Sequence, residues 1–278
     1  MEITYSRETC PSISPPLKHP AAITRFISFG DGGSGSPAQY QLGRQMENAR
    51  KITGFDTVLM LGDNLYPRGD PRVAKPHFEQ PYADLLKAGV KFYPVLGNHD
   101  LQTNDGRDQI AYFKMPGRWY SVQKGPLEFF MVDSARPQVT KQQMTWLDTA
   151  LSSSTARWKI VAMHLPIYSS AHDSLNDLNW WLKIFLEPLL VKHRVSVVLS
   201  AHDHFYERIK PQRGIYYFVS GGGGAEVREV KQKEFSARAA STHHFLLFEW
   251  GENKGWFQAV NICGHVFDSG ILEPQGGS

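Results

Sequence analysis

Seven side chains able to bind metal ions stand in short motifs between Asp31 and His204. Phe29 is followed by Gly30-Asp31-Gly32-Gly33, and Leu61 by Gly62-Asp63-Asn64-Leu65-Tyr66. Leu96 is followed by Gly97-Asn98-His99-Asp100, Met163 by His164, and Ser200 by Ala201-His202-Asp203-His204. One Asp after an apolar run is usually a turn residue or a helix cap, and one His is usually a satisfied polar group. Five such endings in succession point instead to one convergent site. Carboxylate, amide carbonyl and imidazole suit borderline to hard divalent or trivalent ions, and no cysteine lies among these motifs to make a thiolate site. A carboxylate such as Asp63 has two oxygens and can bridge two ions. Two ions so held can clamp the attacking and leaving oxygens of an in-line displacement and lower the pKa of bound water.

The preceding runs must position these groups. Ile23–Phe29, Thr57–Leu61, Phe92–Leu96, Trp158–Met163 and Val195–Ser200 are short and rich in β-branched or aromatic residues, which predicts buried strands. Helices are predicted near 38–52, 77–88, 139–152 and 174–193, the third from Met144, Leu147 and Leu151 at helical spacing. Strand–helix alternation gives an α/β class, in which sites lie off the carboxyl ends of strands. Trp119–Asp133 reads as a hairpin around Gly125-Pro126. After Tyr206 come strands at Ile215–Ser220, His244–Trp250, Trp256–Ile262 and near Val266, which suggests a second, more antiparallel sheet.

The 278 residues suffice for one large domain. We expect residues 1–22, with four prolines, to form an irregular arm, and residues 23–278 to form a single catalytic domain. A composition of 41% hydrophobic and 21% charged residues excludes disordered and collagen-like classes. The net charge is only +3, and His193-Arg194 and the Lys231/Lys233 pair are isolated, so no nucleic-acid partner is expected. No apolar run has the length of a membrane span. Met1 to Cys10 are polar, so no signal peptide is visible. As written the chain reads as cytoplasmic, or as periplasmic or secreted where a signal has been removed. Cys10 and Cys263 could pair if the termini meet, but free thiols are the preferred reading.

The order GD…GDxxY…GNHD…H…HxH resembles the calcineurin-like metallophosphoesterases, and within them the purple acid phosphatases. Gly62 to Tyr66, Gly97 to Asp100 and Gln109-Ile110-Ala111-Tyr112 resemble the tartrate-resistant branch, while His204-Phe205-Tyr206-Glu207-Arg208 is more similar to the plant branch. The resemblance implies an αββα sandwich, with two mixed sheets packed face to face and flanked by helices. It implies that Asp31, Asp63, Tyr66 and His204 hold one metal, and that Asp63, Asn98, His164 and His202 hold a second, with Asp63 bridging. It implies hydrolysis of a small phosphate monoester by in-line attack of a metal-bound hydroxide. His99, and with it His172, would contact phosphate and protonate the leaving group. A non-purple Mn or Zn phosphodiesterase or nucleotide hydrolase is the alternative, and a scaffold that has lost catalysis is a further one.

One pair of positions indicates the purple branch. Most calcineurin-like enzymes begin with Asp-x-His, but here Gly33 follows Asp31 at that spacing, and Tyr66 follows Asp63 by three. Ionising a phenol of pKa near 10 at pH 7 costs about 4 kcal/mol. A trivalent iron can hold it as tyrosinate, so the resemblance implies Fe(III) beside Tyr66, a visible absorption band, and Fe(II), Zn(II) or Mn(II) in the second site. Asp100 could orient His99 or cap a turn. Gly221–Gly224 reads as a tight turn behind the site, and Ala201 replaces a glycine usual before this His-x-His. His19, His77, His193, His243, His244 and His265 fall outside the motifs, and Arg68, Arg72 and Arg107 are read as facing water.

Overall fold

The computed structural model describes residues 18–19, 21–136, 139–171 and 180–274. Two mixed β-sheets pack face to face with helices outside. The first contains β1 (Thr24–Phe29), β2 (Thr57–Met60), β3 (Lys91–Pro94), β11 (His244–Trp250), β12 (Gly255–Asn261) and β13 (Val266–Leu272). Its order is β13-β12-β11-β1-β2-β3. The second contains β4 (Tyr120–Lys124), β5 (Leu127–Met131), β6 (Trp158–Ala162), β7 (Val197–Ser200), β8 (Tyr206–Gln212), β9 (Ile215–Ser220) and β10 (Ser236–Ala240). Its order is β10-β8-β9-β7-β6-β5-β4.

The C-terminal strands do not form a separate antiparallel sheet, as their succession had suggested. β9 joins β7 in parallel, while β11 pairs antiparallel with β1 and brings β12 and β13 to the first sheet. The second sheet therefore has a parallel centre and antiparallel flanks, whereas the first is parallel from β1 to its edge at β3 and antiparallel from β1 to β13. The physical reason is burial on both faces: all seven residues of β11 are buried, so it can occupy only an interior position.

Alternation assigns the two faces of each strand. Phe26 and Leu59 point between the sheets, where they meet Phe129, Trp158, Phe218, Phe248 and Trp250. Ile27, Val58 and Met60 point outward onto Leu42, Met46 and Ala49 of helix α1 (Pro37–Thr53). Ser36 caps α1 by accepting from the Gln39 N–H at 3.2 Å, and Gly54, at φ 75°, ends it in a left-handed turn. The predicted helix at 77–88 is instead a π turn at Lys75–Glu79 and a short helix at Ala83–Lys87. Pro76 and Pro81 each remove a helical N–H there. The hairpin around Gly125-Pro126 forms as predicted. Cys263 is disulfide-bonded, which overturns the free-thiol reading; Cys10 lies outside the described residues. Sequence alone does not say which chain segments meet, and a disulfide is a long-range fact of that kind.

Phe26 is fully buried and lies 4.8 Å from the Phe129 ring and 4.9 Å from the Phe248 ring, centroid to centroid. The Phe26–Phe129 contact joins the two sheets, and the Phe248 contact lies within the first. We expect Phe26→Ala to lower the unfolding free energy by about 3–5 kcal/mol, measured by urea denaturation at neutral pH. A loss below about 1 kcal/mol would show that the inter-sheet core does not depend on this ring.

Candidate metal centre

All seven candidate ligands converge where the carboxyl ends of β1, β2, β3, β6 and β7 meet. Asp31 and Asp63 are buried, and both have left-handed backbones at φ 56° and 51°. His202 does likewise at φ 70°. Non-glycine residues rarely adopt this region, and such strain concentrates at functional sites.

The side chains fall into two groups that share Asp63. In the first, the Tyr66 hydroxyl lies 3.1 Å from Asp31 Oδ1, 3.0 Å from Asp63 Oδ2 and 3.2 Å from His204 Nε2. In the second, Asn98 Oδ1 lies 3.0 Å from both His164 Nε2 and His202 Nδ1, and His164 Nε2 lies 3.7 Å from Asp63 Oδ2. Asp31, Asp63 and His164 alone bring three ligand atoms within 4.8 Å of one another.

Backbone groups aim these side chains. His164 Nδ1 donates to the Leu61 carbonyl at 2.9 Å, and His204 Nδ1 to the Glu226 carbonyl at 2.9 Å, which turns each Nε2 lone pair inward in the neutral ring. Asp31 Oδ2 accepts from the His202 N–H, and Asp63 Oδ1 from the His99 N–H, each at 2.9 Å. His99 itself bonds Pro67 O through Nδ1 at 2.8 Å, and its Nε2 stands 4.0 Å from Asp63 Oδ2. Its side chain is 37% exposed, so it faces the open side. His172 lies outside the described residues.

The electrostatics ask for positive charge. Burial opposes ionisation of Asp31, but the hydrogen bond to His204 and the fields of three histidines outweigh it and hold the carboxyl below its usual range. Burial likewise opposes protonation of His164 and His204, yet the carboxylates beside them push both upward. Burial, together with the charge of His164, pushes His202 down to about 4. Burial and then the Asp31 and Asp63 carboxylates drive the Tyr66 phenol far above its ordinary range. A protonated Tyr66 has one O–H to share among three acceptors. Buried carboxylates with so few donors are the environment that cations complete. The donor set thus fits two metal ions, harder on the Tyr66 side and richer in imidazole on the other.

A sequence model of the calcineurin-like phosphoesterases matches residues 24–206. The chain belongs to that family. Its relatives are acid phosphatases, and the family consists of metal-dependent hydrolases. The chain is 28% identical to rat tartrate-resistant acid phosphatase type 5, over 95% of this chain and 92% of that one. It is 29% identical to purple acid phosphatase 3 of Arabidopsis thaliana, over 75% and 67% respectively. In fold it is similar to GAP50, the anchor in the inner membrane complex of Plasmodium, with TM-score 0.79, 22% identity and coverage of 92% and 90%. It is also similar to a purple acid phosphatase from yellow lupin seeds, with TM-score 0.78, 18% identity and coverage of 93% and 55%. Metallophosphoesterases of this kind use two metal ions, and the purple type contains iron.

Several supports escaped the sequence reading. Asp100 does not bond the His99 ring. Its buried carboxylate accepts from the N–H groups of Gly97, Asn64 and Leu65 and from the side chains of Asn64 and Gln109. It thereby ties the Asp63 loop to the Asn98 loop. Ser134 Oγ accepts from the N–H groups of His164 and Leu165 at 2.9 and 2.8 Å. The signal for Ser134 was present, since Asp133-Ser134 follow β5 as Asp31 follows β1. Ala201 fits because Gly30 faces it: a Cβ on Gly30 would stand 2.2 Å from the Ala201 methyl. Gly221–Gly224 lies behind the site, with a Cβ at Gly221 falling 2.6 Å from Asp31 Oδ2. His244, given no role from sequence, backs this turn through its N–H bond to Gly222 O at 3.1 Å and its ring bond to Ser220 Oγ at 3.0 Å.

Gly33 gains a steric meaning. A Cβ there would stand 2.0 Å from the Asn64 carbonyl oxygen and 2.5 Å from the Leu65 nitrogen. The loop that delivers Tyr66 fills the volume a side chain at position 33 would need, so the loop takes this course only with glycine there. We expect Gly33→Ala to cost about 1–3 kcal/mol in stability and to reduce bound metal. Calorimetry with elemental analysis reads both, and a variant indistinguishable from wild type would remove the steric coupling.

Burial pushes the fully buried His244 imidazole from 6.5 down to about 4. The folded chain then binds fewer protons at this residue than the unfolded chain. Its contribution is complete above pH 6.5 and is lost as pH falls toward 4, an effect on the order of 3 kcal/mol. Unfolding midpoints of wild type and His244→Gln at pH 7 and pH 4.5 test this. The variant should show the shallower acid loss, and equal slopes would contradict the assignment.

Proposed function

We propose that the chain is a binuclear-metal phosphomonoesterase of the purple acid phosphatase type. One observation carries the reading: the donors divide into two groups joined by Asp63, and only one group contains a phenol. Asp31, Asp63, Tyr66 and His204 would hold Fe(III). Asp63, Asn98, His164 and His202 would hold Fe(II), Zn(II) or Mn(II). Two ions there would supply an activated water for in-line attack on phosphorus and would neutralise the phosphate oxygens. The chain's residues contribute position and a proton. His99, fixed through Nδ1 to Pro67 O, presents Nε2 on the open side, where it would donate to the leaving oxygen. His172 is proposed as its partner on the substrate side, and the substrate as a small phosphorylated molecule held by one catalytic domain spanning 23–278. The same fold serves as an anchor in the Plasmodium protein, so a scaffold is the rival of another class. The complete donor set favours catalysis.

Metal analysis and a visible spectrum on protein produced in iron-replete medium test the reading, together with rates on phenyl phosphate and diphenyl phosphate. We expect two metals per chain with iron among them, a coloured protein, and faster monoester hydrolysis. Tyr66→Phe should lose the visible band, and Asn98→Ala should lower kcat on the order of 100-fold. Two bound metals without iron or colour would sink the purple assignment, and a preference for the diester would favour the non-purple alternative. Full activity in Asn98→Ala would remove that residue from the centre.

A further inference from the structure

We propose that Glu207 is a positioning residue for the candidate centre. Through Ser170 its carboxylate holds the segment of chain that leaves His164, and so sets how tightly the imidazole-rich group keeps its ion. The inference rests on the binuclear reading above.

Of the run His204 to Arg208, only His204 is a candidate ligand. Strand alternation divides the other residues. Tyr206 Oη and Arg208 Nε both donate to Asp268 Oδ2 of β13 on the opposite sheet, at 2.6 and 2.8 Å. Glu207 lies between them on the other face of β8 and is fully buried. Its carboxylate accepts the Ser170 N–H at 2.8 Å, the Ser170 hydroxyl at 2.5 Å and the Ser236 hydroxyl. All three donors are neutral, and among the described residues no cation pairs with it. A buried carboxylate held only by neutral donors is costly to keep, and packing alone would be served by an apolar side chain. The group it fixes is therefore the informative part.

Ser170 stands six residues after His164. The segment between them begins at Ser134 Oγ, which accepts the N–H groups of His164 and Leu165. Near its end Ser169 Oγ donates to Asp203 Oδ2 at 2.5 Å. Asp203 separates the candidate ligands His202 and His204, so this bond joins the loop of His164 to the loop of His202. Glu207 then secures the next residue, Ser170, to β8, which is paired with β9 on one side and β10 on the other. The two imidazoles of the second group are close together, with His164 Nε2 3.3 Å from His202 Nδ1. Their spacing depends on how the segment from His164 to Ser170 is seated. Asp31 and Tyr66 stand on other loops, and Glu207 bonds neither, so loosening this brace should affect the second ion first.

The test uses protein loaded with iron and zinc, as wild type, Glu207→Leu, Glu207→Gln and Ser170→Ala. Leu is apolar and accepts nothing, Gln keeps an acceptor, and Ser170→Ala removes one hydroxyl while leaving the backbone bond. Circular dichroism checks folding. Dialysis against graded chelator with elemental analysis follows each ion, and the visible band follows the ion beside Tyr66. We expect Glu207→Leu to release zinc at about tenfold lower chelator concentration, with iron and the visible band retained. Glu207→Gln should recover most of the loss, and Ser170→Ala should show a smaller loss in the same direction. Equal release of both ions, as general loosening of the fold would give, overturns the positioning role. So does wild-type zinc retention in Glu207→Leu or, where that variant does not fold, in Ser170→Ala. A wild type that binds only one ion overturns the binuclear reading and this inference with it, whereas variants that match a two-metal wild type overturn this inference alone.

Discussion

The end of these two sheets is organised around two carboxylates, Asp31 and Asp63, that are almost wholly withdrawn from water. Burying one unpaired carboxylate is costly, and burying two side by side is more so. Their surroundings are arranged accordingly. Each accepts one backbone N–H, from His202 and His99 respectively, and imidazoles stand 3.5–3.7 Å away. Those donors come from loops of both sheets, so the site exists only when the sheets are packed. The aromatic core centred on Phe26 is in this sense part of the site.

The strand ends explain how so many polar groups fit. Leu61 N–H bonds Phe29 O, Gly30 N–H bonds Ser220 O, and Ala201 N–H bonds His164 O, each at 2.8–2.9 Å. These bonds stitch neighbouring loops together directly beneath the donors. Close stitching leaves no room for side chains, which is why glycine recurs there. A Cβ on Gly62 would stand 2.5 Å from His164 Nδ1, and one on Gly97 would stand 2.1 Å from Asp63 Oδ1. Asp100 then joins two of the loops through its five donors. Rigidity of this kind holds ligands in place before any ion arrives.

Much of this was legible in the sequence because it is local. Each strand followed at once by its ligand is a pattern of a few residues, and the strands around Phe29, Leu61, Met163 and Ser200 lie where the runs predict. The division of seven donors into two ligand sets sharing Asp63 came from the family resemblance, and the short distances of Tyr66 to Asp31, Asp63 and His204 and of Asn98 to His164 and His202 are what support proposing it. What was not legible is long-range. Nothing in His244–Trp250 says that it pairs with Thr24–Phe29 rather than with its sequence neighbours, and nothing near Asp100 names Asn64 as its partner. The disulfide at Cys263 and the closeness of Arg228 to His204 are further contacts across long sequence separation. The break of the predicted helix at 77–88 was local and could have been read from Pro76 and Pro81.

The asymmetry of the two groups carries a further consequence. Asp31, Tyr66 and His204 provide one carboxylate, one phenol and one imidazole, while Asn98, His164 and His202 provide a neutral amide and two imidazoles. With Asp63 shared, negative charge is concentrated on the Tyr66 side, and more so once the phenol is ionised. On the proposed reading, tyrosinate against burial and two carboxylates would need a strongly polarising cation, so that group would select for higher charge. The other group is richer in neutral donors and, on the same reading, would select for a divalent ion. The loop that supplies the phenol also occupies the space over Gly33, so charge selection and backbone shape are set by the same five residues, Gly62 to Tyr66. A side chain at position 33 would meet the Asn64 carbonyl and the Leu65 nitrogen, so this course of the loop admits only glycine there.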